Sequence, residues 1–289
     1  MLYGAIEAGG TKMNCAVADE ETIIDECSLP TTTPEETLAA IFAFFDQYTL
    51  ASLGVGSFGP IGINPQQETY GKILATPKKG WQQFDFLGTL KKRYPDTCLA
   101  WTTDVNAAAF GELKQGAAQG MRSCVYLTIG TGIGAGIVSN EEIFQGAGHP
   151  EVGHTFVKRH PQDDYAGTCP YHGDCLEGLA AGPSLEARTG IKGQDLPKEH
   201  EIWDLQAFYI GQALVNITLT VAPDRIILGG GVMNQPHLLK KIQEQFIEQM
   251  AGYMETPPAS EYIVAWGLPN KSGIIGSLLL GKAAYQENQ

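Results

Sequence analysis

The chain opens on an apolar run, residues 2–7, that breaks at Gly9-Gly10 and resumes at 13–18. Short apolar runs bounded by glycines predict buried strands. An acidic turn, Asp19-Glu20-Glu21, leads into a third predicted strand, 22–28. The period then changes. Leu38, Ile41, Phe42 and Phe45 form one helical stripe, so 34–48 is expected to be a helix. Thr33 would be its N-cap, with Pro34 and Glu36 suiting its first turn. LASLGVGSFGPIGI, residues 50–63, predicts a buried strand that ends in glycines. Residues 64–84 look loop-like. A short helix over 86–93, a strand CLAWTTD over 98–104 and a helix over 106–116 complete the first half.

The pattern then restarts. SCVYLTIGTGIGAGIVSNEEIF, residues 123–144, again reads as strand, glycine turn, strand, acidic turn, strand. With Gly9 laid on Gly130, Ile6 falls on Leu127 and Val17 on Val138. Asp19-Glu20-Glu21 falls on Asn140-Glu141-Glu142. Two halves with one supersecondary unit predict a duplicated α/β fold with a cleft between them. Helices are expected at 176–189, 204–222, 237–253 and 273–285, with short strands in DRIILGGGV and EYIVAWG. Gly276, Gly281 and Ala284 would let the last helix pack closely. A hinge near 116–120 divides the chain into a small domain, 1–116, and a large one, 117–272. The terminal helix, 273–289, is expected to return to the small domain.

Composition narrows the classes. A hydrophobic content of 43% with 18% charged residues suits a globular protein, and 35 glycines imply many tight turns. The net charge of −13, with no extended basic patch, argues against nucleic acid and anionic membrane as partners. Neither a signal-like start nor a run of ~18 apolar residues is found, so no membrane span is expected. Six cysteines in 289 residues do not form a disulfide framework. Cys15, Cys27, Cys98 and Cys124 sit in or beside apolar runs and are expected as core thiols, which points to a reducing cytoplasm.

Three glycine turns follow predicted strands: Gly9-Gly10-Thr11-Lys12 after Glu7, Gly130-Thr131-Gly132, and Gly229-Gly230-Gly231. Each alone could be an ordinary hairpin turn. Three together, two at equivalent places, suit backbone N–H groups that cradle phosphates. None has the strand-to-helix form of a dinucleotide fingerprint or the Walker pattern. Asp104 ends a strand at the expected cleft edge, and it suits either an N-cap or a proton-accepting base. His154, Cys169, His172 and Cys175 form H-x14-C-x2-H-x2-C. Two thiolates and two imidazoles suit a closed, structural tetrahedral Zn²⁺ knuckle, and Gly167, Pro170 and Gly173 supply its turns. His160 is expected to be a solvated loop residue. His149 and Asp174 are expected at the surface, and Asn14 has no assigned role.

EAGGTK, TDVNAAAFGE, LTIGTGIGAGIV, HPEVGH, GTCPYHGDCLEG and IILGGGV, in that order, resemble the ROK family of sugar kinases over essentially the whole chain. The pair Gly80-Trp81 and the segment CPYHGDCLEGLAAGPSLEARTG are most similar to its bacterial fructokinases. The resemblance implies an actin-like (ribonuclease H-like) duplicated ATPase fold, closing on ATP with Mg²⁺ and a hexose, and commonly a homodimer. It implies Asp104 as general base and sugar ligand, and Glu151, Glu177 and His154 at the sugar. Members often carry Asn just before the base. Thr103 stands here, which argues against glucose. In the wider superfamily an Asp stands where this chain has Glu7, near Mg²⁺, and a longer carboxylate can still hold the metal through water.

Phosphorylation of fructose at its 6-hydroxyl is therefore the expected activity, with glucose, mannose and N-acetylmannosamine as alternative acceptors. Some relatives are sugar-responsive repressors, but the first glycine turn comes within ten residues of the start and the charge is acidic. A repressor is not expected. An actin-like assembly ATPase would not need the Cys/His knuckle with its paired glutamates.

Overall fold

The computed structural model describes residues 1–20 and 22–289, so the expected turn at 19–21 lies partly outside the described residues, at Glu21. The first half comprises β1 (Tyr3–Ala8), β2 (Lys12–Ala18), β3 (Ile23–Pro30), α1 (Pro34–Phe45), β4 (Ser52–Ser57), β5 (Lys72–Ile73), β6 (Phe84–Asp85), α2 (Phe86–Arg93), β7 (Cys98–Thr103) and α3 (Asp104–Gln115). The second comprises β8 (Cys124–Ile129), β9 (Ile133–Ser139), β10 (Glu142–Ile143), α4 (Leu176–Ala180), α5 (Gly182–Thr189), α6 (Ile202–Val221), β11 (Arg225–Gly229), α7 (Pro236–Met250), α8 (Ala259–Tyr262), β12 (Ile263–Ala265) and α9 (Ser272–Glu287).

Two five-stranded sheets result, ordered β3-β2-β1-β4-β7 and β10-β9-β8-β11-β12. Three antiparallel strands are followed by two parallel ones in each. The overlay of Gly9 on Gly130 is thus structural: β1 and β8 each lead into a glycine turn, and each sheet is followed by a helix, α3 or α9. Ile6, Ala8 and Met13 bury the outer face of the first sheet against α1, where Leu38, Ile41 and Phe45 meet them. Thr33 caps α1 as expected, its Oγ1 accepting from Glu36 N–H at 3.4 Å. Val125, Leu127 and Ile129 do the same for the second sheet beneath α6 and α7.

The inner layer is the helix pair α3 and α9. Helix α9 lies on β1, β4 and β7, while α3 lies on β8 and β9 and also touches β4. Their approach needs glycine. A Cβ on Gly276 would stand 1.7 Å from Ala107 O, and one on Gly111 2.4 Å from Ser272 O. Gly281 plays the same part against Gly54 of β4.

Two elements differ from expectation. The loop 64–84 contains the paired strands β5 and β6. Beside them Trp81, fully buried, donates through Nε1 to Thr32 O at 2.7 Å and packs on Phe58, Phe84 and Phe86. The helix expected over 176–189 breaks into α4 and α5, because Ala181 is extended (ψ 162°) and Pro183 restarts the helix. Among the cysteines, Cys15 and Cys124 are buried, whereas Cys27 and Cys98 are only half-buried, on strands at sheet edges. No helix is long and apolar enough to cross a membrane among the described residues.

Candidate functional site

Asp104 is the first residue of α3, and the cap is its neighbour. Thr103 Oγ1 accepts from Asn106 N–H at 3.1 Å, so the helix N-terminus is capped without the carboxylate. That supplies Thr103 with a role and removes the capping explanation for Asp104. The Asp104 side chain accepts only a local bond, from Val105 N–H at 2.9 Å. The residue is half-buried as a whole, and its carboxyl is pushed up to about 7, by burial first and then by the charges of Glu7 and Glu151. Glu7 and Glu151, from two other segments, therefore lie near enough to act on its charge.

Glu7, the penultimate residue of β1, is anchored. Asn14 Nδ2 donates to its Oε2 at 2.8 Å, and Ser28 Oγ donates to Asn14 Oδ1 at 2.9 Å. These residues lie abreast on three strands, since Glu7 pairs with Asn14 and Asn14 with Ser28. A Cβ on Gly273 would meet Glu7 Oε1 at 2.3 Å, so the carboxylate sits on the N-terminal turn of α9. Burial raises its pKa, while Asn14 and Lys12 oppose the shift. The unassigned Asn14 thus positions a carboxylate beside the first glycine turn, a part that strand alternation alone does not disclose.

That turn is closed by Gly9 N–H donating to Lys12 O at 2.9 Å and by Thr31 Oγ1 donating to Gly9 O at 2.7 Å. Thr11 and Lys12 are exposed at its tip. A cation missed in the sequence stands over it: a Cβ on Gly10 would lie 3.5 Å from Lys78 Cε. Lys78 lies in TPKKGW, but lysine pairs recur at 91–92 and 240–241, so the sequence carried no signal that singled it out.

The second and third glycine turns are neighbours because β8 and β11 are parallel. A Cβ on Gly130 would lie 3.9 Å from Gly231 N. Gly230 needs its positive φ of 88°, and a Cβ there would strike Ile129 backbone. A Cβ on Gly229 would strike the Tyr126 hydroxyl. Gly130 O accepts from Gly182 N–H of α5 at 2.7 Å. Thr131 is exposed and Gly132 half-buried beside it. Glu177 of α4 joins this turn to the Cys/His segment, accepting from Ile133 N–H at 2.9 Å through Oε2. Its other oxygen lies 4.0 Å from His154 Nε2.

The four Cys/His side chains converge. His154 Nδ1 is 3.6 Å from both Cys169 Sγ and Cys175 Sγ, and His172 Nδ1 is 3.8 Å from Cys169 Sγ. All four donor atoms lie within 4.8 Å of one another. A zinc tetrahedron with bonds of ~2.3 Å to sulfur and ~2.0 Å to nitrogen separates its ligands by about 3.5 Å, so the donor set fits that ion. His160 is not among them; it packs edge-on against Phe208 at 4.8 Å and accepts from Gln162 N–H. The carrying loop is fixed by buried Asp163, which accepts from Tyr209 OH at 2.6 Å and Arg188 Nη2 at 2.8 Å. Asp174 is paired with Arg159.

Glu151 precedes a short 3₁₀ turn, Val152–His154, and is half exposed. His149, expected at the surface, is instead wedged between Glu151 and the backbone at Gly59 and Ile61. A surface hollow of about 730 Å³ along the outer edge of β7 is lined by none of these residues.

Two like-ordered sheets with glycine turns at their inner ends, and a carboxylate at the start of the helix between them, fit the duplicated α/β fold of the actin-like kinases. The chain belongs to the ROK family, whose model matches residues 3–284. It is 52% identical over 287 residues to the fructokinase of Pediococcus pentosaceus, with 99% of each chain covered. It is 47% identical over 288 residues to the fructokinase of Streptococcus mutans, with 97% of each covered. The ROK hexokinase of Thermus thermophilus shares its fold, with a TM-score of 0.83 at 24% identity over 99% of this chain and 100% of that one.

Proposed function

We propose that the protein is an ATP-dependent fructokinase, transferring the γ-phosphate of ATP to the 6-hydroxyl of D-fructose and releasing ADP. The observation that carries this is Asp104: a carboxylate raised to about 7, freed from capping, near Glu7 and Glu151 in a chain half identical to fructokinases. A base with a pKa near ambient pH can accept the hydroxyl proton as the oxygen attacks phosphorus.

The remaining roles in the proposal are those that the family resemblance and the glycine turns suggest. Gly9, Gly10, Thr11 and Lys12 on one sheet and Gly130, Thr131, Gly132, Gly229, Gly230 and Gly231 on the other present backbone and hydroxyl donors to the phosphates of ATP, with Lys78 as an added cation. Mg²⁺ arrives with ATP and neutralises its phosphates, and Glu7, held by Asn14, is the carboxylate placed to meet it through water. Glu151 and Glu177 accept hydrogen bonds from the sugar hydroxyls, with His154 at the pocket edge. Zinc on His154, Cys169, His172 and Cys175 would be structural, since four protein ligands leave no open position. By this arrangement His154 binds through Nδ1 and turns Nε2 toward Glu177.

Residues 1–116 with helix 273–289, and residues 117–272, would be the lobes that close on the substrates. Six unpaired thiols support a cytoplasmic enzyme. The homodimer implied by the family belongs to the proposal and is read by equilibrium sedimentation. The deciding experiment is ADP release over a panel of hexoses: fructose should give the highest kcat/KM. Turnover without dependence on any sugar would refute the kinase reading, and a preference for glucose would refute its specificity.

A further inference from the structure

His149 has a relation to both lobes that no assigned role uses. Ile61 N–H, in the loop after β4, donates to His149 Nε2 at 3.3 Å, a contact 88 residues apart in sequence. With Nε2 accepting, the neutral ring carries its proton on Nδ1. That nitrogen lies 3.4 Å from Glu151 Oε1, a close polar contact short of a formed hydrogen bond. The ring also covers Gly59, where a Cβ would stand 3.6 Å from its Cε1. A second bond runs along the same seam, Gln145 Nε2 donating to Ile63 O at 3.2 Å. The His149 side chain is 11% exposed and that of Glu151 49%, so a largely buried ring braces a carboxylate that stays open.

Glu151 otherwise sits on a three-residue 3₁₀ turn with no side-chain cap. Among the described residues no other side chain or backbone group holds its carboxylate by a recorded hydrogen bond or ion pair. An acceptor that must meet sugar hydroxyls in one orientation gains affinity when it is held before binding.

We propose that His149 is the positioning residue that fixes Glu151 for the sugar, and that it does so by anchoring on the 59–61 backbone of the opposite lobe. The sugar carboxylate is then oriented only when the two lobes meet along this seam, so sugar affinity is set by a contact outside the sugar pocket itself. The inference rests on Glu151 as a sugar ligand.

A double-mutant cycle in steady-state kinetics tests it on the full chain. His149→Ala should raise the KM for fructose about tenfold, leaving the KM for ATP within about twofold, a change equal to ~1.4 kcal/mol of sugar binding. His149→Asn keeps a donor near the Nδ1 position and should lose less. In a Glu151→Gln background, His149→Ala should add little, because it acts through that carboxylate. A fructose KM unchanged in both His149 variants, or effects of His149→Ala and Glu151→Gln that multiply independently, would overturn the proposal. Should His149→Ala not fold, the Asn variant carries the same cycle. Wild-type protein that turns over no sugar would instead refute the kinase reading, so the two failures are distinct.

Discussion

Asp104 is under opposite demands from chemistry and stability. Its folded pKa of about 7 stands above the ~3.9 of an unfolded Asp, so between those values the folded state holds more protons than the unfolded one. Stability contributed here is therefore present at low pH, falls as pH rises from about 4 to 7, and is level above. Catalysis needs the ionised form, so kcat/KM should rise through an acid limb with a midpoint near 7. Asp104→Asn is neutral at every pH. It should lower kcat by roughly 10²–10⁴-fold while raising the melting temperature at pH 8, and the gain should vanish near pH 4. Thermal melts at the two pH values decide this; a variant less stable than wild type at pH 8 would mean that Asp104 ionises without penalty.

Among the elements, the hairpins and buried strands were legible because alternation and glycine placement are local signals. Even the duplication could be read, as Ile6 and Leu127 fell at matching places on β1 and β8. Val17 on Val138 slips by one residue, since the second turn is one residue shorter: Val17 pairs with Gly4, and its counterpart Ile137, not Val138, pairs with Val125. The break between α4 and α5 was not seen, because the apolar stripe continues through Ala180 and Leu185 while the backbone at Ala181 does not. His149 and Lys78 escaped for another reason: their partners are far away in sequence, and periodicity carries no information about such pairs. The Cys/His segment lies between these cases, since spacing gave four candidate ligands and the fold brings their donor atoms within 4.8 Å of one another. Cys175→Ser should abolish bound zinc, measured by elemental analysis, and raise the fructose KM more than the ATP KM, because α4 begins at this ligand and carries Glu177. Full metal content in the variant would exclude the knuckle. The α3–α9 contact makes a separate prediction. Gly276→Ala puts a methyl where Ala107 O already stands, and should cost about 1–3 kcal/mol in urea unfolding.

At the scale of the whole molecule, one carboxylate gathers both places where the chain passes between the sheets. Glu112, on α3 and fully buried, accepts from Ala117 N–H at 2.7 Å and Gly267 N–H at 2.9 Å through Oε2. Oε1 accepts from Leu268 N–H at 3.0 Å and Ser272 Oγ at 2.6 Å. The first of these donors follows α3 on the way to the second sheet; Gly267 and Leu268 lie between β12 and α9 on the way back, and Ser272 opens α9. The crossings also abut, since a Cβ on Gly267 would lie 2.5 Å from Ala117 N. In the proposed two-lobe reading, closure pivots here, at the hinge expected near 116–120, and Glu112 ties the two crossings together. Glu112→Gln preserves shape but turns an NH₂ group toward at least one pair of N–H or O–H donors, leaving buried groups unpaired at a cost of about 2–4 kcal/mol. Urea unfolding reads that loss directly. Because Glu112 ties α3, which starts at Asp104, to the first turn of α9, on which Glu7 rests, the same change should loosen Asp104 relative to Glu7. The kcat should then fall several-fold even at saturating fructose and ATP and at temperatures where the variant is fully folded. A destabilised variant with unaltered kcat would show that Glu112 serves stability alone.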